Sequence, residues 1–441
     1  MRHAWSVRFA GLRCNHCVAP TRFPDWLYSL LTADLSPILM RPAHIPYGAY
    51  WSTPFARWQG SLSHLHPLEL AAHVAKAELA KRDITPDAFD YGVLGYTVPS
   101  PSCFYGLPWV TAMLGAPHVG GPSVNQACAT SARALQMAVQ EVSEGGADCA
   151  LLITADKLSN GPHLYFPHPG GPGGTGGHED WVLDNFSKDP YAHCAMIQTA
   201  ENVAKKFGIS TAEQHDVVAH RYRQYDDARA MDGAFHKRFM TLPFEVPDAR
   251  FKKQIKTLAG DEGIHATTAE GLAELRPVQP GGTVTYGGQT HPADGNACMV
   301  VTARDKAREL ATDPKISVRV LGFGLARTEK AFMPQAPVPA SKRALAAANL
   351  SIKDIDCVKS HNPFAVNDIV FSRETGFDWQ KMNNYGCSLV WGHPQGPTGL
   401  RAIIELIEEL AMRGGGRGLF HGCAAGDTAM AVVVEVADAN A

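Results

Sequence analysis

Three short motifs bring together residue types that can do covalent chemistry. Cys128 sits in Val124-Asn125-Gln126-Ala127-Cys128-Ala129-Thr130-Ser131. His393 sits in Gly392-His393-Pro394-Gln395-Gly396-Pro397-Thr398-Gly399, and Cys423 in Gly422-Cys423-Ala424-Ala425-Gly426-Asp427. A thiol nucleophile, an imidazole base and a second thiol acting as acid suit making or breaking a carbon–carbon bond beside a thioester. Cys128 lies where a strand pattern meets a helix pattern. Unpaired N–H groups and the helix dipole favour a thiolate there, so its pKa is expected to fall. Small neighbours (Ala127, Ala129, Ser131) let a substrate approach. Taken alone, an inert buried cysteine is the commoner fate.

His393 is surrounded by turn residues, which predicts exposure to a pocket rather than packing in a core. Its neutral imidazole can take a proton from a nearby thiol. A histidine that only caps a turn is the plain alternative. Cys423 follows a predicted strand at Gly418–His421. The small run after it can bring backbone N–H groups against a ligand and hold an oxyanion. A tight turn between two core strands competes with that reading. A fourth element, His361-Asn362-Pro363-Phe364, follows a predicted strand at Cys357–Lys359. Strand ends are where α/β sheets place ligands, so His361 or Asn362 can donate to a carbonyl oxygen. A solvated loop histidine is the default for most of the 19 histidines. His163, His168 and His178 flank a glycine-rich stretch with no ligand spacing and read as loop residues. Cys14-Asn15-His16-Cys17 has no second ligand pair nearby, so no metal is expected.

The elements that position these motifs follow from periodicity. Leu68–Lys81 has helical spacing, with Leu70, Val74 and Leu79 on one face. Tyr91–Tyr96 and Ala150–Thr154 read as buried strands and Ser123–Cys128 as a short strand entering a turn. Ala129–Val142 is a helix with Ala132, Leu135, Val139 and Val142 on one stripe. From about Asn160 to Gly282 the pattern changes. Pro167–Gly177 is dense in glycine and proline, and helical stretches follow at Ala192–Phe207 and Thr211–Asp232, the latter started by Ser210 and Glu213. Alternation then resumes: strands Cys298–Thr302, Ile316–Phe323 and Cys357–Lys359, helices Ser341–Ala348 and Gly399–Met412, strands Gly418–His421 and Ala429–Val436. This predicts an α/β fold with a mostly parallel sheet. The halves look like copies of one plan, each with a catalytic motif before a helix and a hairpin-like pair of apolar strands at its end.

Bulk properties narrow the class. The 441 residues suit two or three domains or one duplicated one, and the net charge of −3 lacks the basic clusters of a nucleic-acid or membrane-surface protein. No apolar run reaches the roughly 20 residues of a membrane span. Ten scattered cysteines in so large a chain read as reduced thiols of a cytoplasmic enzyme. Residues 1–39 are basic and acid-poor up to Asp25. They read as a poorly packed extension, through a start assignment upstream of Met40 rather than a transit peptide.

From about Pro42 onward the chain resembles the thiolases (acetyl-CoA C-acyltransferases). Ile45-Pro46-Tyr47 with Thr53-Pro54-Phe55 looks like the family's opening block, and Asn125 to Ser131 like its nucleophile motif. Thr199-Ala200-Glu201-Asn202 resembles the start of a loop-domain helix. Gly282-Thr283-Val284-Thr285 followed by Asp294-Gly295 resembles the return to the core. Gly392-His393-Pro394 and Cys423 to Gly426 resemble the two C-terminal motifs. The resemblance implies the five-layered α-β-α-β-α thiolase fold. Residues 40–160 and 283–305 would form the N-terminal half around an inserted 161–282 loop domain, and 306–441 the C-terminal half. It implies coenzyme A as co-substrate with no bound cofactor, and a homodimer or dimer of dimers.

Roles also follow from the resemblance. Cys128 would be the acylated nucleophile, His393 its base, and Cys423 the proton shuttle at the α-carbon. The backbone N–H groups of Cys128 and Ala425 would form one oxyanion hole, and His393 with His361 the other. Thr290 and Gly426 would contact the CoA-bearing substrate. Three departures stand out. His361-Asn362-Pro363-Phe364 replaces Asn-Glu-Ala-Phe and looks closer to the sterol-carrier-like branch, some members of which work with a small zinc-ribbon/OB-fold partner. Ala425 carries a β-carbon where glycine is usual, which disfavours positive φ, and Asp427 adds a charge near the pocket. Gly287-Gly288-Gln289-Thr290 replaces Gly-Asn-Ala-Ser. The competing readings are a ketoacyl-synthase-like condensing enzyme, against which Cys423 argues, and a non-catalytic acyl-CoA-binding subunit. Cys103-Phe104-Tyr105, Trp109, Tyr165, Phe166 and Trp181 either line an aromatic-tolerant pocket or, as the simpler choice, serve as core or dimer contacts.

Overall fold

Side chains alternate across a strand, so a strand buried on both faces must be apolar at nearly every position. The central strands of this protein meet that condition. A computed structural model describes residues 41–440; the expectations for residues 1–39, including the Cys14–Cys17 pair, fall outside them. The first half runs β1 (Ala43–His44), β2 (Tyr50–Ser52), β3 (Ala56–Arg57), α1 (Pro67–Lys81), β4 (Tyr91–Gly95), α2 (Gly106–Leu114), β5 (Ser123–Val124), α3 (Thr130–Glu144) and β6 (Cys149–Lys157). An inserted stretch holds the hairpin β7 (His163–Phe166) and β8 (Gly177–Asp180), α4 (Met196–Phe207), α5 (Thr211–Gly233), and the hairpin β9 (Phe244–Pro247) and β10 (Gln254–Leu258). The core resumes with β11 (Ala293–Ala303), β12 (Ile316–Arg327), α6 (Pro337–Ala347), β13 (Cys357–His361), α7 (Ala365–Thr375), α8 (Gly396–Met412), β14 (Gly416–Ala424) and β15 (Thr428–Asp438).

The strands order as β13-β14-β15-β12-β1-β11-β6-β4-β5, with β2 and β3 also on β11. Only β13–β14, β4–β6 and β4–β5 are parallel. The expected mostly parallel sheet is therefore mixed. Its middle is antiparallel: β6 pairs antiparallel with β11 and β12 with β15, while β1 pairs antiparallel with both β11 and β12 and links the halves. The copied plan is visible: a parallel pair followed by an antiparallel one occurs as β4–β6–β11 and again as β13–β14–β15.

Period-2 alternation builds the layers. Ala150 and Leu152 of β6, with Val432 and Val434 of β15, face a central layer containing α3 and α8. Leu151 and Ile153 face outward against α1 and α2. Ala431 and Val433 face outward on the other side against α6 and α7. The order helix, sheet, helix, sheet, helix is the five-layered arrangement. Within the central layer the two helices come close at Gly399, where an added Cβ would meet Ser131 Cβ and Phe420 Cζ at 3.1 Å. This glycine lets α8 lie against α3, and the Ser131 hydroxyl donates to the Gly396 carbonyl at the same point.

Local signals hold where they are strongest. Ser210 and Glu213 form a reciprocal capping box at the start of α5. Leu70, Val74 and Leu79 are the buried face of α1. One expectation fails: the Pro167–Gly177 stretch connects β7 to β8, so His163 and His178 are strand rather than loop residues. Their rings stack, with Nδ1 of His163 3.2 Å from Nε2 of His178. Phe104, Tyr105, Tyr165 and Phe166 stand exposed, whereas Trp181 donates to the Thr97 carbonyl at 3.0 Å. Among the described residues no helix is long and apolar enough to cross a membrane.

Candidate active site

Cys128 occupies the turn between β5 and α3. Ala127 before it has φ +46°, a conformation that L residues adopt only when neighbours hold it. The Thr130 hydroxyl donates to the Ala127 carbonyl at 2.7 Å and accepts the Gln126 N–H at 2.8 Å. Arg133 Nε donates to the Gln126 side chain at 2.7 Å. The bends on either side of the sulfur are thus braced by the first turn of the following helix.

His393 arrives from the second half, on the loop before α8. Its Nε2 lies 3.1 Å from Cys128 Sγ and its Nδ1 2.6 Å from Thr398 Oγ1. With Nδ1–H donating to the threonine, Nε2 carries the lone pair that faces the thiol. Asp156 secures the start of α8 by accepting the Gly396, Thr97 and Val98 N–H groups at 2.8–2.9 Å. Burial raises this carboxyl to about 7. His393 itself is buried, not pocket-exposed as its turn-rich context predicted. The loop folds inward as a bridge beside Pro292, with the His393 N–H donating to the His291 carbonyl at 2.8 Å.

The electrostatics correct a second expectation. Burial pushes the Cys128 thiol up to about 12, outweighing the hydrogen bonds that the N–H groups of Ala425 and of Cys128 itself direct at it. Burial, aided by His291, lowers His393 to about 3. At neutral pH the resting pair is therefore a thiol and a neutral imidazole. A desolvated ion pair would cost more than the helix terminus returns.

Cys423 lies inside β14 rather than after a strand, because β14 extends to Ala424. Its buried sulfur accepts a hydrogen bond from Asn367 Nδ2 at 3.2 Å. Burial first, then the nearby Cys128 sulfur, raise its pKa. In the β14–β15 turn the positive φ falls on Gly426 (+78°) and Asp427 (+58°), so the Ala425 β-carbon is not strained. Asp427 turns away from chemistry: its buried carboxylate accepts the Ala331 N–H at 2.9 Å and its carbonyl the Thr328 N–H at 2.9 Å. Thr290 is likewise engaged. Its N–H donates to Pro363 at 2.7 Å and its hydroxyl to the Ser388 carbonyl at 2.5 Å, so that hydrogen is not free for a substrate.

His361 ends β13, wholly buried, with its ring stacked on His393 at 4.0 Å. Its Nδ1 lies 2.8 Å from Ser388 Oγ, and its Nε2 has no partner. Burial, then His393 and His421, hold it well below the ordinary histidine range. Ligand atoms of Cys128, His361 and His393 all lie within 4.8 Å of one another. The two rings are stacked with centroids 4.0 Å apart and inclined by only 25°, so their lone pairs lie in separate, nearly parallel planes, and a shared metal ion requires one ring to turn. Local spacing did not point to Asn367, Ser388 or Thr398. Each is a short polar residue in an apolar or turn context whose partner becomes apparent only in three dimensions.

A strained turn with a cysteine, an imidazole at hydrogen-bond distance and a second buried thiol form an arrangement suited to acyl transfer on a five-layered duplicated fold. Residues 49–305 match the family description "Thiolase, N-terminal domain" and residues 314–436 "Thiolase, C-terminal domain". An acetyl-CoA acetyltransferase of Allochromatium vinosum is 31% identical over 382 residues, covering 86% of this chain and 95% of the relative. The mitochondrial 3-ketoacyl-CoA thiolase of Homo sapiens is 29% identical over 389 residues, covering 87% and 96%. The crystal structure of human mitochondrial 3-ketoacyl-CoA thiolase superposes with TM-score 0.82 at 28% identity, over 90% of this chain and 99% of that one. Its complex with CoA gives TM-score 0.80 at 27% identity, over 90% and 98%. This chain belongs to the thiolase family, and it is an acyltransferase.

Proposed function

We propose that the protein cleaves a 3-oxoacyl-CoA with CoA, or runs the reverse Claisen condensation, through an acyl group on Cys128. As thiol meets substrate, His393 Nε2 takes the Cys128 proton and the sulfur bonds to the 3-oxo carbon. The C2–C3 bond then breaks, leaving the acyl group on Cys128 and an acyl-CoA enolate that receives the Cys423 proton at C2. The thiol of free CoA attacks the acyl-Cys128 carbonyl, the Cys128 S–C bond breaks, and the shortened acyl-CoA leaves while both thiols are reprotonated. The N–H groups of Cys128 and Ala425 hold the tetrahedral oxyanion. His361 and His393 face the thioester oxygen of the enolate, with His361 donating directly, as in the sterol-carrier-like branch. Gly426, with open space over its α-carbon, suits the approach of the CoA arm.

The observation that carries this reading is the 3.1 Å contact of His393 Nε2 with Cys128 Sγ beneath two N–H groups aimed at the same sulfur. Homodimeric or tetrameric assembly, a cytoplasmic location and a small zinc-ribbon/OB-fold partner belong to the same reading. The test is CoA-dependent loss of aliphatic and aromatic 3-oxoacyl-CoA substrates, with mass-spectrometric trapping of the acyl group on Cys128. An intermediate on another residue overturns it.

A further inference from the structure

The proton inventory around His361 assigns a job to a residue outside every motif named above. A neutral imidazole carries one N–H, so His361 can donate from Nδ1 or from Nε2 but not from both. Ser388 Oγ sits 2.8 Å from Nδ1. The same oxygen accepts the Asn362 N–H at 3.2 Å, and Asn362 Oδ1 lies 3.2 Å away as a second acceptor for the serine proton. Two hydrogen placements follow. If Ser388 donates to Asn362 Oδ1, His361 must donate from Nδ1, and the unpartnered Nε2 presents a lone pair that repels a substrate oxygen. If Ser388 donates to Nδ1, the proton sits on Nε2 and the ring becomes a donor toward the site.

Both placements use the 2.8 Å contact and differ only at Asn362 Oδ1. That oxygen already receives the Leu389 N–H at 3.3 Å, so the second placement leaves no acceptor there without a donor. The Asn362 N–H polarises the serine oxygen and strengthens its donation. The serine is held from behind, since its carbonyl accepts the Thr290 hydroxyl at 2.5 Å. Asn362 is held too, its Nδ2 donating to Asp368 Oδ2 at 2.7 Å and to Cys387 Sγ at 3.2 Å.

Resting on the thiolase reading, we propose that Ser388 is a positioning residue: its hydroxyl donates to His361 Nδ1, fixes the proton on Nε2, and so makes His361 the donor that stabilises the enolate oxygen. Thr290 serves the same end at one remove, which accounts for a hydroxyl turned away from the substrate.

The readout is exchange of α-protons of an acyl-CoA in D2O, which needs the enolate but not carbon–carbon cleavage. Ser388→Ala is expected to slow exchange about 10- to 100-fold, less than the roughly 10²–10³-fold cost of losing an oxyanion donor outright. Alkylation of Cys128 by iodoacetamide should keep its parent rate. In a His361→Asn background, Ser388→Ala should add no further loss, because there is no Nδ1 left to orient. Unchanged exchange, an equal loss in the His361→Asn background, or a matching fall in alkylation each overturns the proposal. Failure of the thiolase reading itself shows separately, as absence of exchange and thiolysis in the parent protein.

Discussion

Helices α3 and α8 hold equivalent places in the two halves. Each follows a turn that carries a proposed catalytic residue, and they lie side by side in the central layer. They differ in depth. In α3 one stripe is buried, including Ala132, Leu135, Ala138 and Val142. In α8 every residue from Gly396 to Leu410 is buried, including Arg401, Glu405, Glu408 and Glu409. Charges at that depth are tolerable only when paired and hydrogen-bonded. Two charged partners, Asp261 and Arg238, come from outside the duplicated core, and the others from within it. Arg401 meets Asp261 at 2.5 and 2.8 Å and Glu405 at 3.1 Å, between the rings of Trp391 and Phe55. Glu408 takes Arg238 at 2.6 Å together with the Tyr47 and Tyr50 hydroxyls. Glu405 also pairs with Lys359 at 2.9 Å.

Arg238 and Asp261 belong to the stretch between β6 and β11, where residues 158–292 intervene; the matching strands β14 and β15 are joined by residues 425–427 alone. The insertion therefore supplies two of the charges that pair with the helix following His393. The helix that follows the nucleophile needs no such help. The halves share a plan, but they became unequal in how much polar chemistry each must bury.

Five experiments probe that inequality. The largest effect is expected at the nucleophile. Cys128→Ala should lower thiolysis by at least about 10⁴-fold without moving the unfolding midpoint, since the loss is of a covalent partner. Substantial remaining turnover would place the chemistry elsewhere. Cys423→Ala should cost roughly 10²–10⁴-fold in turnover, as loss of a general acid–base group does. It should abolish α-proton exchange yet leave Cys128 open to acylation, which intact-mass measurement detects. Asp261→Ala leaves Arg401 buried and half-partnered. It should destabilise by about 3–5 kcal/mol in urea unfolding, whereas a substitution on the exposed face of α3, such as Gln140→Ala, should change stability by less than about 0.5 kcal/mol. Equal effects would dissolve the contrast between the helices.

The smallest effect concerns pH. His421 is buried, stacked on Phe371 at 3.9 Å, and has no partner on either ring nitrogen. Burial lowers it from 6.5 to about 4. The unfolded chain binds the extra proton between those values, so the stability its neutral form permits is present above pH 6.5 and lost as pH falls toward 4. His421→Leu should remove up to about 3 kcal/mol of that acid sensitivity, seen as a smaller drop in urea midpoint between pH 7 and pH 4.5. For Cys128 the direction is opposite. A thiol raised to about 12 predicts alkylation that climbs steadily from pH 6 to 9. A plateau starting near pH 4 would reveal a pre-formed ion pair.

Much of this was legible in order along the chain. The buried strands, the capping box of α5 and the stripes of α1 and α3 rest on interactions within a few residues, and periodicity reports those directly. The three residues that meet at the candidate site stood out because small residues and turn formers crowd around Cys128, His393 and Cys423. The roles of Asn367, Thr398 and Ser388 were not. A polar side chain gives no hint of its partner until two distant segments are packed together.

Which residue types were available, and which stood at strand and helix ends, was settled by the amino-acid order alone, because short-range geometry follows from neighbours. Tertiary packing decided the sheet's mixed sense, the burial of His393, the neutral state of the Cys128 pair and the direction in which Thr290 and Asp427 point. Those properties depend on desolvation and on contacts across the whole chain. Both are summed over the assembled layers, and no local window of residues carries them.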